Sequence, residues 1–543
     1  MADPFDEKAL ENLDKQTLIM MLRMSNTSIQ ALQETVDQLN KQISLLTEEV
    51  RGLRQNRFGR KTETKLVEQS DYQQYYFSFN ESEITIECEP VKSEPEIEEV
   101  IPRAYKRKKR QGKRREDLKD IPKVIVEHTL TDDELLEKFP DGKWKRLPDE
   151  IYSRLEFIPA MFQVIEHHVA VYVGSKSKEF VRAPRPADLL RNSIVTPSLM
   201  AGIGNYKFAN AQPIHRLSKE FEAGDVFIAP NTMCNWTIQC ADRYLARLYD
   251  RLHGLLYDCH VIHADETPVT VVKDGRPAGS KSYMWVYRAG SFEQHPFVLY
   301  EYQKTRKTDH PREFLKNYNG VCVTDGYQVY HTLEKQREGL KIAGCWAHAR
   351  RGFAETVKTL GAAKAKGTVA HKALALVDLI FDAERDMKSL TPEERLKERE
   401  QKTAPLVDAF FDYIRKEQNS VAPKSQTGKA ISYCLNQEQY LRVFLTDGMV
   451  PASNNAAELS IRTFCLGKKN WYVIDSIKGA KASAIWYSIS ETAKANGLKV
   501  YEYFRYILTE LSKHGEFEDP AYIDALLPWS EDLPDICHKK QMP

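Results

Sequence analysis

The sequence lacks an apolar run of about 18 residues, the minimum for a membrane-spanning helix, which excludes a membrane span. The opening stretch MADPFDEKALENLD is acidic and has no hydrophobic core, so a secretory leader is not expected. The nine cysteines (Cys88, Cys234, Cys240, Cys259, Cys322, Cys345, Cys434, Cys465, Cys537) form no CxxC pair and no regular spacing. That argues against a disulfide framework and for a reducing, cytoplasmic setting. Glycine and proline, 25 each in 543 residues, are too sparse for a low-complexity chain. An excess of one charge is also missing: 78 Lys+Arg against 77 Asp+Glu leave +1. Evenly spread, such a balance would speak against a nucleic-acid partner.

The charge is not evenly spread. From Glu81 to Glu99 there are eight Glu and one Lys, with Pro90 and Pro95, the composition of an acidic linker. From Arg103 to Arg115, nine of thirteen residues are Lys or Arg, including Lys106, Arg107, Lys108, Lys109 and Arg110. A run of this kind suits the phosphate backbone of DNA.

Upstream lies a heptad. Ile29, Val36, Ile43 and Val50 take one core position; Leu32, Leu39, Leu46 and Leu53 take the other. β-Branched residues at a and Leu at d favour a parallel two-stranded coil, hence a homodimer or higher oligomer. Residues 119–182 carry strand-like alternation (IPKVIVEHTL, EIYSRLEFIP, FQVIEHHVAVYV) and read as a small β-rich module. His167 and His168 are adjacent, so on a strand they point to opposite faces. Residues 183–255 read as helical, and Thr232 to Trp236 open a helix in the manner of a helix-turn-helix element.

Three carboxylates stand out. Asp265 lies in a strand-like run (CHVIHADETPVTVV), followed by SYMWVYRAG and HPFVLYEYQ as in an antiparallel meander. Asp325 ends another β-branched run, NGVCVTD. PASNNAAELSIRTF opens a helix at Ser453 or Asn454, with Glu458 on its second turn and Arg462 four residues on, along the same face. A carboxylate at the end of a buried strand needs a counter-charge. Mg²⁺ is one; capping a turn is the other common use. Glu266 adjoins Asp265, so on a strand it points to the opposite face. In CWAHARRGF, His348, Arg350 and Arg351 suit DNA phosphate or a structural ion pair with the helical insertion of 366–445. Lys468 and Lys469 suit DNA or a helix C-terminus. Trp346, Trp471 and Trp486 read as core, and Cys345 as a small buried residue.

The segments HADETPV, TDGYQVY, GCWAHARRGFAE, SNNAAELSIRTFCLGKKNWYVIDSIKGAKASAIWYSISETAKANGL and ALLPW occur in that order. Together they resemble the transposases of the insertion-sequence 66 family, which belong to the DDE class. Upstream, LNKQISLLTEEVRGLRQNRFGRKTE resembles that family's N-terminal zipper, and the run from Ile203 to Trp236 its central helical region. The resemblance implies an RNase H-like α/β catalytic core with Asp265, Asp325 and Glu458 as the catalytic, metal-binding triad. It implies two Mg²⁺ ions, with Mn²⁺ as a substitute, DNA ends and target DNA as partners, and companion proteins from the same element. The sequence departs from the family in two places. The stretch that matches the usual Cys-rich zinc module has no Cys, so no structural zinc is expected. Ser453 stands where an Asp commonly precedes two Asn; Ser is a good N-cap, so the helix start should survive.

The resulting expectation is a multidomain α+β protein. It has an N-terminal helix and dimeric coiled coil (1–65), an acidic then basic linker (66–118) and the β-rich module (119–182). A helical DNA-binding region (183–255) precedes the first part of the core (256–365). A helical insertion (366–445), the second part of the core (446–512) and a C-terminal tail (513–543) follow. The expected activity is Mg-dependent cleavage at terminal inverted repeats and strand transfer. Two alternatives use the same residues: a domesticated DNA-binding relative without catalysis, and an RNase H-like nuclease without strand transfer.

Overall fold

The computed structural model describes residues 15–16, 19–20, 22–36, 162–173, 180–182, 188–277, 279–514 and 520–540. All of them fall in one of the two units into which the chain divides, the one that excludes Thr62–Ala160. Residues 22–36 are helical, and Ile29, Leu32 and Val36 of the heptad seam are exposed on them. Leu39, Ile43, Leu46, Val50 and Leu53 lie outside the described residues, as do the acidic linker and the basic run Lys106 to Arg110. Of the β-rich module, residues 162–173 and 180–182 are described, and their regular structure is one antiparallel pair, β1 (Val171–Val173) and β2 (Phe180–Arg182). His167 and His168 sit before it, both exposed and in no regular element.

Four helices follow: α1 (Pro197–Gly204), α2 (Ile214–Ala223), α3 (Pro230–Cys240) and α4 (Ala246–Leu256). The Thr196 hydroxyl caps α1 by accepting the Leu199 N–H. Helix α3 starts two residues before the expected Thr232, because Pro230 occupies the first turn, where its missing N–H costs no helical bond.

A six-stranded mixed sheet forms the centre, with β3 (Val261–Lys273), β4 (Lys281–Ala289), β5 (Val298–Gln303), β6 (Gly320–Thr324), β7 (Leu340–Gly344) and β8 (Val473–Ser476). The order is β5-β4-β3-β6-β7; β3, β4 and β5 make the expected meander, while β6 and β7 run parallel to β3. One edge of the long strand β3 is shared. β6 pairs with Val261 to His263, and β8 pairs with the far end from Thr270. Between them, residues 264–269 have no strand partner on that edge. Two side chains of helix α11 (Asn455–Trp471) complete or flank it: Lys468 Nζ donates to the Pro268 carbonyl at 2.8 Å, and Asn454, its N-cap, donates to the Ala264 carbonyl at 2.8 Å. Pro268 lies on this open edge, so its missing N–H removes no ladder bond.

Helix α5 (Gln328–Gln336) links β6 to β7, and α6 (Trp346–Leu360) leaves β7. Then come α7 (Val369–Asp386), α8 (Pro392–Glu398), α9 (Ala404–Glu417) and α10 (Gln426–Leu441) before α11. Strand alternation splits the apolar side chains of β6 between two cores. Cys322 turns to one, with α1–α4, α12 (Ile477–Ala495) and α13 (Val500–Leu511). Val321 and Val323 turn to the other, with α6, α7, α9 and α10. Trp346 and Trp486 are fully buried, one in each core, and Trp471 packs against the first. The segment 520–540, expected as a tail, is packed: Leu526, Leu527, Leu533 and Cys537 are buried in the first core. Its backbone also joins α13, where Lys499 N–H donates to the Cys537 carbonyl.

Candidate active site

Asp265 lies within β3, two residues after the His263↔Val323 pair with β6. Continuing that register sets Asp325, the residue after β6, level with Asp265. This is where the two strands part, so the carboxylates stand at the mouth of the gap in the β3 edge. Gly326, with φ of +91°, turns the chain immediately afterwards. The turn is held by the Tyr327 N–H, which donates to Asp325 Oδ1 at 3.0 Å, and by the Tyr433 hydroxyl of α10, which donates to the Asp325 carbonyl at 2.8 Å.

Glu458 reaches the site from the first turn of α11, at the positive end of the helix. The helix begins at Asn455 with Asn454 as N-cap, so Ser453 does not take the capping role expected of it. Asn454 does not cap with its side chain either. It is fully buried and reaches across to β3, where its Oδ1 accepts from His263 Nδ1 at 2.9 Å and its Nδ2 donates to the Ala264 carbonyl. Its own N–H points at Cys345 Sγ, 3.1 Å away. Burial pushes His263 down to about 4, so the imidazole is neutral and one ring nitrogen carries the proton shared with Asn454. These bonds fix the start of α11, and hence Glu458, against the strand that carries Asp265.

The electrostatics are those of crowded, half-buried carboxylates. Asp265 is pushed up to about 8, first by burial, then by Glu266, Asp325 and Glu458. Glu266 is pushed up to about 7 by burial and Asp325, against the pull of Arg306. Glu266 forms an ion pair with Arg306, whose guanidinium lies over the Tyr327 ring at 3.6 Å. An all-oxygen donor set whose members repel one another in low dielectric fits a hard divalent cation, which would remove the penalty.

Asp265, Asp325 and Glu458 are therefore brought together, with His348 and Arg351 beside them at 3.6 Å and 3.5 Å from the Glu458 carboxylate. Other residues singled out in the sequence point elsewhere. Arg350 pairs with Asp378 of α7 at 2.6 Å, and Lys468 is engaged with Pro268. Arg462 and Lys469 are exposed further along α11. Sequence reasoning missed His263, Tyr433 and Arg306, and gave Asn454 only as a helix start. Only His263 carried a signal: two residues before Asp265 on one strand, it shares that residue's face.

The family model described as Transposase IS66 family matches residues 192–482, which takes in the sheet and all three carboxylates. The IS66 C-terminal element matches 488–529, and Transposase C of IS166 homeodomain matches 45–126. The uncharacterized protein y4qI of Sinorhizobium fredii is 26% identical over 506 residues, 90% of this chain and 89% of the relative. The uncharacterized protein y4hP of the same organism is 26% identical over 402 residues, 72% of each chain. With more than half of its length matched by one family model, this chain belongs to the IS66 family of transposases.

Proposed function

We propose that the chain is a DDE transposase that binds the terminal inverted repeats of its insertion sequence, hydrolyses the phosphodiester at the element end, and directs the freed 3′-OH at the same site onto a phosphodiester of target DNA, displacing the target's own 3′-OH. The observation that carries this reading is the meeting of Asp265, Asp325 and Glu458 from two adjacent strands and one helix. The sheet order supports an RNase H-like core in two parts, 256–365 and 446–512, with 366–445 as a helical insertion. Asp265, Asp325 and Glu458 are the residues that would hold two Mg²⁺ ions, or Mn²⁺. When bound, such a pair activates the attacking oxygen and stabilises the leaving one.

The chain's own residues supply the geometry. β3 and β6 fix the two aspartates by their ladder, and Asn454 and Lys468 fix the two ends of α11. Arg306 pairs with Glu266 and offsets its charge beside the ligand set. Arg351 stands beside Glu458, and Arg462 and Lys469 are exposed on the same helix, available to DNA phosphates. The basic run Lys106 to Arg110 adds a sequence-independent, salt-sensitive contact. The heptad seam from Ile29 to Leu53 joins two copies, as a reaction on two ends requires, and companion proteins of the element complete the assembly. No described helix is long and apolar enough to cross a membrane.

The test uses labelled element-end DNA, a target plasmid and Mg²⁺, with Asp265→Asn beside the parent chain. Joined products that vanish in the variant support the reading. Cleavage without joining points to a nuclease, and equal activity of the variant sinks the triad.

A further inference from the structure

Beside the triad, on the Glu458 flank, three side chains of a different chemistry converge. Cys345 is the N-cap of α6, so its thiol sits at the positive end of that helix. The sulfur accepts the Asn454 N–H at 3.1 Å. His348 lies three residues on, on the same face of α6. One ligand atom from each of Cys345, His348 and Glu458 lies within 4.8 Å of the other two. His348 Nδ1 and Glu458 Oε1 are 3.6 Å apart, and each is buried without a hydrogen-bond partner.

That spacing is too long for a hydrogen bond. It suits two ligands of one ion: atoms bound at about 2.0–2.1 Å to a tetrahedral centre stand about 3.4 Å apart, and a thiolate at about 2.3 Å slightly farther. The donor types select the ion. Mg²⁺ takes oxygen, whereas sulfur, imidazole and carboxylate together suit zinc-class ions.

We propose that Cys345, His348 and Glu458 form a second divalent-cation site, of the zinc class, which shares Glu458 with the carboxylate triad. Three protein ligands leave a fourth position for water. Binding transfers the thiol proton to solvent and takes His348 in its neutral form, with the ring proton on Nε2. The Asn454 N–H stays on the sulfur as a supporting bond, as such ligands require. Arg351, half-exposed and 3.3 Å from His348 Nε2, turns to solvent as the ion arrives. Glu458 is common to both sites, so zinc in this one competes for a triad ligand and inhibits. That inhibition rests on the proposed triad; the site itself does not.

The experiment titrates the full chain with Co²⁺, a spectroscopic substitute for Zn²⁺. A thiolate-to-cobalt charge-transfer band should saturate at one ion per chain, persist in excess Mg²⁺, and be displaced by Zn²⁺. Cys345→Ser keeps an acceptor for the Asn454 N–H and should abolish the band; His348→Ala should weaken Co²⁺ binding by about tenfold or more. Near-ultraviolet circular dichroism checks the fold of each variant. Absence of a saturable band in the parent chain, or the same band in folded Cys345→Ser, overturns the site. A Cys345-dependent band together with unimpaired strand transfer by Asp265→Asn would sink the triad and leave this site standing.

Discussion

Replacing Asn454 with Ala tests how the helix that carries Glu458 is joined to the strand that carries Asp265. The side chain is fully buried and makes two bonds to β3, one with the His263 ring and one with the Ala264 carbonyl. Alanine removes both and supplies nothing to the neutral imidazole N–H or to the carbonyl. Each orphaned buried group costs about 1–3 kcal/mol, so the variant should lose about 2–6 kcal/mol. The cost is local to the α11–β3 junction, so Glu458 should also lose its fixed position. Chemical denaturation should show a clear fall in midpoint, and Mn²⁺ affinity, read by electron paramagnetic resonance on the still-folded variant, should drop. Ser453→Ala is the control. Among the described residues the Ser453 hydroxyl makes no hydrogen bond, so its loss should stay within about 0.5 kcal/mol. If Asn454→Ala matches the parent chain while Ser453→Ala destabilises, the capping role belongs to Ser453 and the junction described above is wrong.

Three further outcomes follow from the packing. Glu301 on β5 is pushed up to about 8 by burial, so it is protonated in the fold and ionised when unfolded at neutral pH. Its effect is a loss of stability as pH rises from the ordinary carboxylate range to about 8, at up to about 1.4 kcal/mol per pH unit, and no further loss above. Glu301→Gln should therefore gain on the parent chain as pH rises through that window, and parallel denaturation curves across it would contradict this. Arg399 is fully buried and binds Glu384 and the carbonyls of Phe444 and Asp447. Arg399→Met strands that carboxylate and should cost about 3–5 kcal/mol in urea unfolding; a loss under 1 kcal/mol would refute the role given to the pair. At Gly204 an added Cβ would stand 2.5 Å from the Trp486 ring, so Gly204→Ala should cost about 1–3 kcal/mol and shift the tryptophan fluorescence; an unchanged spectrum would argue against the close approach of α1 and α12.

Local signals in the sequence covered a good part of this. The alternation of β3, β4 and β5, the β-branched run before Asp325 and the helix bearing Glu458 are patterns within a few residues, and each element formed where its pattern lay. The pairing of β8 with the far end of β3 was not legible, because a four-residue strand has no pattern that names a partner some 200 residues away. Nor was the use of Asn454: an Asn before a helix reads as a cap, and only the arrival of β3 beside it makes a cross-chain bond the better use. The segment after residue 513 is polar enough to read as a tail, yet Leu526, Leu527 and Leu533 find a groove built by distant helices. Arg350 was half legible: an ion pair with the helical insertion was one of its two readings, and Asp378 of α7 in that insertion is the partner.

The His263–Asn454 bond joins residues 191 positions apart. A ribosome adding about 5–20 residues per second needs roughly 10–40 s to make that intervening chain. For that interval the nascent protein already carries Asp265 and then Asp325 but has no Glu458 to set beside them. The cluster of three carboxylates is thus assembled only after the helices of 366–445 have emerged. A chain stopped early, or clipped within that stretch and separated, holds two aspartates without Glu458; on the proposed function such partial products would be inert toward the DNA of the cell that makes them.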